Sequence, residues 1–348
     1  MNKTLLAIVA LTLLDAGAFA QSTVTVYGKV DLGGVLDSGG KAGKSVRLSS
    51  GVTGGSRIGF KGVEDLGGGT KASFQLETGY CADSAAGAPN FCTGSNQFMG
   101  RQAHGDLSGA FGQLTAGRVY SLDFINQTTA DPFGTGYAGD SQNLFGDKGT
   151  TRLNNALQYT TPNFEGFTAT AEAALGETTG NWKAGREVGG ALTYAKGPLW
   201  IDFTILHQDN ANGVDASRKN YELGATYDFG VVKIHGLVER AKGEPTGAAR
   251  PLDALDLLGG VTVPLAGGSL LASYVRHDDR TARSAPGGGD RDASQWALGY
   301  NYPLSRRTSV YTAYAHLTDL HGATFTVGNA TDAGTGTRGF NLGVVHNF

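Results

Sequence analysis

The chain has 348 residues, and its 28 lysines and arginines against 31 aspartates and glutamates give a net charge of −3. A nearly neutral chain gives no reason to expect a nucleic-acid partner. Mean hydropathy is −0.18, but this value does not exclude a membrane protein, because transmembrane barrels spread their apolar residues over short alternating segments. Glycine supplies 55 residues, far above its usual share of about 7 %.

Residues 1–20 have the three parts of a secretory signal. Lys3 supplies a positive charge, residues 5–14 form an apolar core, and Ala18-Phe19-Ala20 forms an A-x-A cleavage site. The apolar core is shorter than the roughly 20 residues that a transmembrane helix needs. We therefore expect residues 1–20 to be removed and residues 21–348 to form one mature domain.

The mature chain begins with segments in which every second residue is apolar. In residues 24–32, apolar Val24, Val26, Val30 and Leu32 alternate with Thr25, Tyr27, Lys29 and Asp31. Residues 57–63 and 71–78 repeat the pattern, with Arg57 and Lys61 on the polar face of the first. A period of two predicts β-strands with one apolar face and one polar face.

Sixteen segments of this kind follow one another, joined by connections that are alternately short and long. An even number of strands is typical of a bacterial transmembrane barrel, and it places both chain ends beside the short, periplasmic turns. The facing direction is unclear near residues 101–108 and 311–317. We expect eight external loops, near residues 33–56, 79–100, 119–151, 176–189, 207–219, 240–254, 277–293 and 317–337.

The last segment, residues 338–348, shows the alternation most clearly. Phe340, Leu342, Val344, His346 and Phe348 occupy every second position, and the chain ends on the last of these aromatic residues. A soluble sandwich could bury such a strand at its edge. A barrel in a bilayer needs it more, because the final strand must close on the first so that no edge faces lipid.

The third connection, residues 119–151, is the longest and carries Asp123, Asp131, Asp140 and Asp147. A barrel of 16 strands is too wide for its side chains to fill and leaves an aqueous channel. Connections of this length are usually functional. The sequence therefore predicts an all-β, 16-stranded antiparallel transmembrane barrel with the third loop folded into the lumen, where it sets the constriction.

Several segments, in order along the mature chain, resemble the Gram-negative general porins, in particular the beta-proteobacterial branch. They are VTVYGKVDLG, SRIGFKGVEDLGGGTKASFQLE, LSGAFGQLTAGR, DPFGTG, NNALQYTTPNFEGF and the closing VVHNF. The resemblance implies an outer-membrane homotrimer, surrounded by lipid, through which ions and small hydrophilic solutes diffuse. It also implies that Phe348 serves as a signal for the outer-membrane assembly machinery.

The resemblance further implies which residues line the constriction. In these porins, arginines on the wall face acidic residues across the gap. Arg57 lies in the matching S-R-x-G motif, Arg152 directly precedes the matching NN, and Arg101 begins the fourth strand. The full set of candidate constriction residues is Arg57, Glu77, Arg101, Arg118, Asp123, Asp131 and Arg152. Porins of this branch often prefer anions, but four aspartates in the third loop should dilute the positive field, so we expect a weak preference.

Other functions receive less support from the sequence. The seven histidines are scattered, and none lies in a nucleophile or metal motif such as G-x-S-x-G or H-E-x-x-H, so we expect no enzyme, cofactor or metal site. A substrate-specific channel remains the alternative, for which Tyr120, Phe124, Phe133 and Tyr137 in the third loop are modest evidence. Adhesion or immune recognition by the long loops is not argued for by any motif.

The two cysteines, Cys81 and Cys92, lie in one Gly/Ala/Ser/Asn-rich loop. An exported chain crosses an oxidising compartment, which favours a disulfide between them. We expect both thiols to resist alkylation in the native protein and to be labelled by iodoacetamide only after reduction. Mass spectrometry detects the label. Labelling of both thiols without reductant would refute the disulfide.

Overall fold

The computed structural model describes residues 23–84, 97–145, 151–209, 215–245, 252–281, 291–320 and 323–348. The expected signal, residues 1–20, lies outside these ranges. The strands are β1 Thr23–Gly40, β2 Gly43–Ser50, β3 Arg57–Gly67, β4 Thr70–Gly79, β5 Gln102–Gly109, β6 Gly112–Tyr120, β7 Arg152–Thr160, β8 Phe167–Ala174, β9 Glu187–Lys196, β10 Leu199–Asp209, β11 Asp215–Asp228, β12 Lys233–Pro245, β13 Leu252–Leu265, β14 Gly268–Asp279, β15 Ala293–Pro303, β16 Thr308–Asp319 and β17 Arg338–Asn347. The helices are α1 Leu122–Ala130 and a 3-10 turn at Ser141–Asn143.

These 17 strands form one closed antiparallel barrel with 16 positions. From β3 onward each strand pairs with the next, and β17 pairs with β1 over Lys29–Ser38. The other edge of β1 pairs with both β2 and β3, which follow one another along it. The predicted 16-stranded barrel is confirmed. No helix in the described ranges is both long enough and apolar enough to cross a bilayer.

The predicted first external loop, residues 33–56, is wrong in part. The alternation continues through Asp37 and Arg47, so β1 and β2 form a long hairpin with a turn at residues 41–42. Arg47 Nη1 donates to Asp37 Oδ2 at 2.7 Å inside this hairpin. Only residues 51–56 leave the sheet. Residues 33–50 were predicted as a loop because they are rich in glycine and polar residues.

The faces of the strands separate apolar from polar residues as predicted. On β17, Phe340, Leu342 and Val344 are exposed on the outside, whereas Asn341 between them is buried on the inside. Pairing of β17 with β1 leaves neither strand with an open edge. The wall therefore presents an apolar exterior to lipid and a largely polar interior.

Residues 121–145 follow β6 and are here called the inner loop; they fold into the lumen as predicted. Phe133, Leu144 and Phe145 of the loop are buried against apolar side chains that point inward from β12–β16. These wall residues are Leu237, Leu258, Leu271, Val275, Ala293, Ala297, Ala313, Ala315 and Leu317. The facing direction near residues 311–317 was unclear from sequence because the inward face there is itself apolar.

Phe133 is the aromatic anchor of the inner loop. It is 2 % exposed and packs edge-on against Tyr137, with 5.9 Å between ring centroids. Gly299 on β15 leaves room for its ring, since a Cβ there would lie 2.7 Å from a ring carbon. The backbone of β15 and the loop thus approach each other as closely as a glycine allows.

We expect Phe133→Ala to loosen the inner loop without opening the barrel. Burying one aromatic side chain in a packed core stabilises by about 3–5 kcal/mol, and that contact is made by the loop and not by the strand ladder. Limited proteolysis of the folded protein in detergent should cut the variant within residues 121–151. Phe164→Ala, at a residue that is 63 % exposed on a short turn, is the matched control. Equal protease resistance of both variants would show that Phe133 does not anchor the loop.

Candidate functional site

A cavity of about 640 Å³ remains between the inner loop and the wall formed by β3–β7. We call this cavity the passage. The wall contributes Arg57, Arg101, Tyr120, Thr151 and Arg152. The inner loop contributes Phe124, Ile125, Thr128, Thr129, Gly134, Thr135 and Gln142, and residues Thr53, Gly54, Gly55, Ala330 and Thr331 complete the lining.

The positive side of the passage consists of three arginines from different strand ends. Arg57 begins β3, Arg101 directly precedes β5, and Arg152 begins β7. All three side chains line the same cavity beside the inner loop. All three were candidate constriction residues, and the structure brings them together on one wall.

Glu77 neutralises part of this charge. Its carboxylate is 3 % exposed and accepts from Arg101 Nε at 2.7 Å, while Arg57 Nη1 lies 3.7 Å from the same oxygen. The Tyr27 hydroxyl donates to the other carboxylate oxygen at 3.1 Å. The three guanidinium groups that line the passage and the Glu77 carboxylate together carry a net charge of +2. Arginine keeps its charge at any working pH.

Tyr120 joins two of the arginines. Its hydroxyl oxygen accepts from Arg101 Nη2 at 2.7 Å and from Arg152 Nη2 at 3.2 Å. The two nitrogens therefore lie within about 6 Å of each other. Two unit charges at about 6 Å repel by about 0.7 to 3 kcal/mol for dielectric constants between those of water and a protein surface. Sequence reasoning placed Tyr120 in the third loop and did not assign it this contact.

Within residues 121–145, the inner loop presents no ionisable side chain to the passage. Asp131 instead organises the loop, because its carboxylate accepts from the backbone N–H groups of Phe133, Thr135 and Ser141 at 2.8–3.3 Å. Asp140 accepts from the Gln142 N–H at 2.8 Å and caps the 3-10 turn. Asp147 lies outside the described residues.

Asp123 also lies away from the passage. It is 2 % exposed, and its carboxylate accepts from the Phe124 backbone N–H at 2.8 Å at the start of α1. Burial raises the pKa of the Asp123 carboxyl above its usual range. The expectation that aspartates of this loop face the arginines is therefore not met by Asp123 or Asp131.

Arg118 is likewise not among the residues that line the passage. Its Nε donates to the Gly100 carbonyl at 2.7 Å, and its Nη1 donates to Asn154 Oδ1. These contacts connect the end of β6 to the chain before β5 and to β7. Arg118 therefore supports the wall that carries Arg101 and Arg152.

A row of carboxylates holds the back of α1, and sequence reasoning did not identify it. Gln127 Nε2 donates to Glu222 at 2.6 Å and to Glu239 at 3.1 Å, and Asn126 Nδ2 donates to Asp202 at 2.8 Å. The sequence does contain a pattern that could have identified this row, namely one inward-facing acid on each of six successive strands, β8–β13. These buried acids are Glu172, Glu187, Asp202, Glu222, Glu239 and Asp256.

Two further segments fix the front end of the inner loop. The Tyr137 N–H donates to the Val52 carbonyl at 2.8 Å, and the Gly328 N–H donates to Asn143 Oδ1 at 2.9 Å. Burial raises the pKa of Tyr137 to about 12, so its hydroxyl stays protonated. Residues 51–56 and 323–337 therefore reach inward, although both were predicted as parts of external loops.

Cys81 lies two residues after the end of β4, but Cys92 is outside the described residues. The predicted Cys81–Cys92 disulfide thus stays a prediction. Phe348 closes the barrel seam, where its N–H donates to the Gly28 carbonyl at 3.1 Å and its carbonyl accepts from the Gly28 N–H at 3.0 Å.

Comparison with known proteins places this barrel in a family. The model of the Gram-negative porin family matches residues 4–322. Outer membrane porin protein 32 of Delftia acidovorans is 32 % identical over 370 residues, covering 100 % of both chains. The solved anion-selective porin from Comamonas acidovorans is 30 % identical, with a TM-score of 0.81 over 94 % of this chain and 100 % of that one.

A more distant structure shares the fold alone. The trimer form of OmpT from Vibrio cholerae is 14 % identical, with a TM-score of 0.70 over 94 % of this chain and 99 % of that one. The family model and the two closer matches cover nearly the whole barrel, including the arginine wall and the inner loop. The chain therefore belongs to the Gram-negative porin family and is a protein of the outer membrane.

Proposed function

We propose that this outer-membrane porin lets ions and small hydrophilic solutes diffuse passively through the passage, with a weak preference for anions. The observation that carries the proposal is the charge of the passage, where Arg57, Arg101 and Arg152 line one wall. The side chains that residues 121–145 of the inner loop place on the facing side of the passage are uncharged. An anion entering the passage thus meets net positive charge, and a cation meets no compensating carboxylate from residues 121–145 of the loop.

The preference should be weak because the passage is wet. At about 10 Å in water, two unit charges interact by less than about 1 kcal/mol, and salt screens them further. Such energies bias permeation several-fold without trapping the ion, which a conducting pore requires. The solved porin from Comamonas acidovorans is called anion-selective, which supports a preference for anions in this chain as well.

We infer that the working unit is a homotrimer surrounded by outer-membrane lipid. The family and the trimer form of the Vibrio cholerae OmpT structure support this assembly. We also infer that the chain is a channel and not an enzyme, as its family and structural relatives are. The signal at residues 1–20 and the Cys81–Cys92 bridge belong to the same proposal, since both fit export through an oxidising compartment.

We expect a variant carrying Arg57→Gln and Arg152→Gln to lose anion preference. Both guanidinium groups line the passage, and their removal leaves Arg101 balanced by Glu77. Reversal potentials of single channels in a KCl gradient across a planar bilayer measure the change, and the shift should be toward cation permeability.

Arg186→Gln is the matched control for this experiment. Arg186 is paired with Asp209 at 2.6 Å outside the passage, so its removal changes the net charge of the chain without changing the charge of the passage. Equal reversal potentials for wild type and the double variant would remove the selectivity assignment. Stepwise conductance that persists in the variant would leave the pore itself intact.

We expect deletion of Phe348 to reduce the yield of folded trimer. The residue forms the last pair of backbone hydrogen bonds with β1, and its ring occupies the space beside Gly28, where a Cβ would lie 2.3 Å from it. Phe348→Tyr keeps the ring and should assemble normally. Heat-modifiable migration of outer-membrane extracts on gels measures both variants, and wild-type yield of the deletion would contradict a role in assembly.

A further inference from the structure

The hydroxyl of Tyr120 is the point where two like charges of the passage meet. Arg101 and Arg152 each donate one N–H to the same phenol oxygen. Guanidinium groups repel each other at this distance, and a shared acceptor offsets that repulsion through two charge-assisted hydrogen bonds. The oxygen therefore does for the arginine pair what a carboxylate would do, but without cancelling their charge.

Arg152 depends on this oxygen more than Arg101 does. Arg101 also donates to Glu77 at 2.7 Å, so it has a second anchor. In the described part of the chain, the Tyr120 hydroxyl is the one hydrogen-bond acceptor of the Arg152 guanidinium, and Arg152 Nε is buried without a partner. Loss of the hydroxyl would leave Arg152 free to move away from Arg101.

The ring of Tyr120 is itself held from two sides. The Arg152 guanidinium lies over one face, 4.7 Å from the ring centroid. Phe124 of α1 stacks on the ring with a centroid distance of 5.0 Å and an interplanar angle of 24°. The Gln158 side-chain amide donates to the Tyr120 carbonyl at 3.1 Å. Tyr120 therefore links the inner loop to the arginines, because its ring contacts Phe124 and its hydroxyl contacts Arg101 and Arg152.

We propose that Tyr120 is a positioning residue that keeps Arg101 and Arg152 side by side in the passage and thereby sets its anion preference. The inference rests on the proposed function, because it assigns a cause to the strength of that preference. Tyr120 acts through Arg152 and carries no charge of its own into the passage. Its hydroxyl, and not its ring, is the part that matters.

Tyr120→Phe tests this assignment because it removes only the hydroxyl. The ring can still stack on Phe124 and support the guanidinium face, so the inner loop should keep its place. We expect the anion-to-cation permeability ratio in a KCl gradient to fall by about two-fold at low ionic strength and to approach the wild-type ratio in concentrated salt. Thermal unfolding of the trimer should change little.

Tyr159→Phe is the matched control, since Tyr159 lies on β7 and its hydroxyl donates to the Phe111 carbonyl outside the passage. It removes one hydroxyl from the same pair of strands and should leave the permeability ratio unchanged. A Tyr120→Phe channel with the wild-type ratio would overturn the proposal. An equal fall in both variants would overturn it as well, because the hydroxyl would then act only through stability of the wall.

A double-variant cycle separates positioning from a direct effect of the hydroxyl. Because Tyr120 is proposed to act through Arg152, Tyr120→Phe should have almost no further effect on the permeability ratio in an Arg152→Gln background. Additive effects would contradict that route. A wild-type channel without anion preference would be a failure of the proposed function, whereas an anion-preferring wild type with an unchanged Tyr120→Phe variant would be a failure of this inference alone.

Discussion

Closure of the sheet between β1 and β17 is the constraint from which the rest of this structure follows. In a bilayer, an open strand edge would leave backbone N–H and C=O groups without partners. Ten consecutive residue pairs join the two strands, and Phe348 extends the seam by one more pair of hydrogen bonds with Gly28. A barrel closed at 16 positions encloses more space than its own side chains fill, so another part of the chain must occupy the lumen.

The inner loop occupies that space on one side only. Its apolar residues pack against β12–β16, and α1 is held by acids of β10–β12 through Asn126 and Gln127. The opposite wall, β3–β7, keeps its arginines in contact with the remaining passage. One packing arrangement therefore determines both the width of the passage and the sign of its charge, because the loop buries Asp123, Asp131 and Asp140 while the three arginines line the passage.

Much of the fold could be predicted from the sequence, because one face of each strand meets lipid and the other faces the lumen. Residues such as Phe340 and Asn341 alternate strictly, and that alternation specified the strands and their closure. The alternation gave unclear or wrong predictions where a segment did not have lipid on one side and water on the other. The inward face of β16 is apolar at Ala313 and Ala315 because it meets the inner loop instead of water, and residues 33–50 form a hairpin although their polarity suggested a loop.

The site was predictable in its residue types and less so in its geometry. Motifs identified Arg57, Arg101 and Arg152, but no local pattern shows that Asp131 turns back to its own backbone or that Tyr120 bridges two arginines. Those contacts depend on how the inner loop docks, which is a tertiary event. The row of acids behind α1 was visible in the sequence as inward-facing carboxylates on successive strands, yet its purpose required the position of the helix.

Transport through this porin requires an open, positively lined passage beside the inner loop. The most direct measurement is the reversal potential of a single reconstituted wild-type channel in a tenfold KCl gradient. We expect stable stepwise conductance with a reversal potential displaced toward the chloride equilibrium potential. A membrane that stays non-conducting, or a reversal potential displaced toward the potassium equilibrium potential, would contradict it.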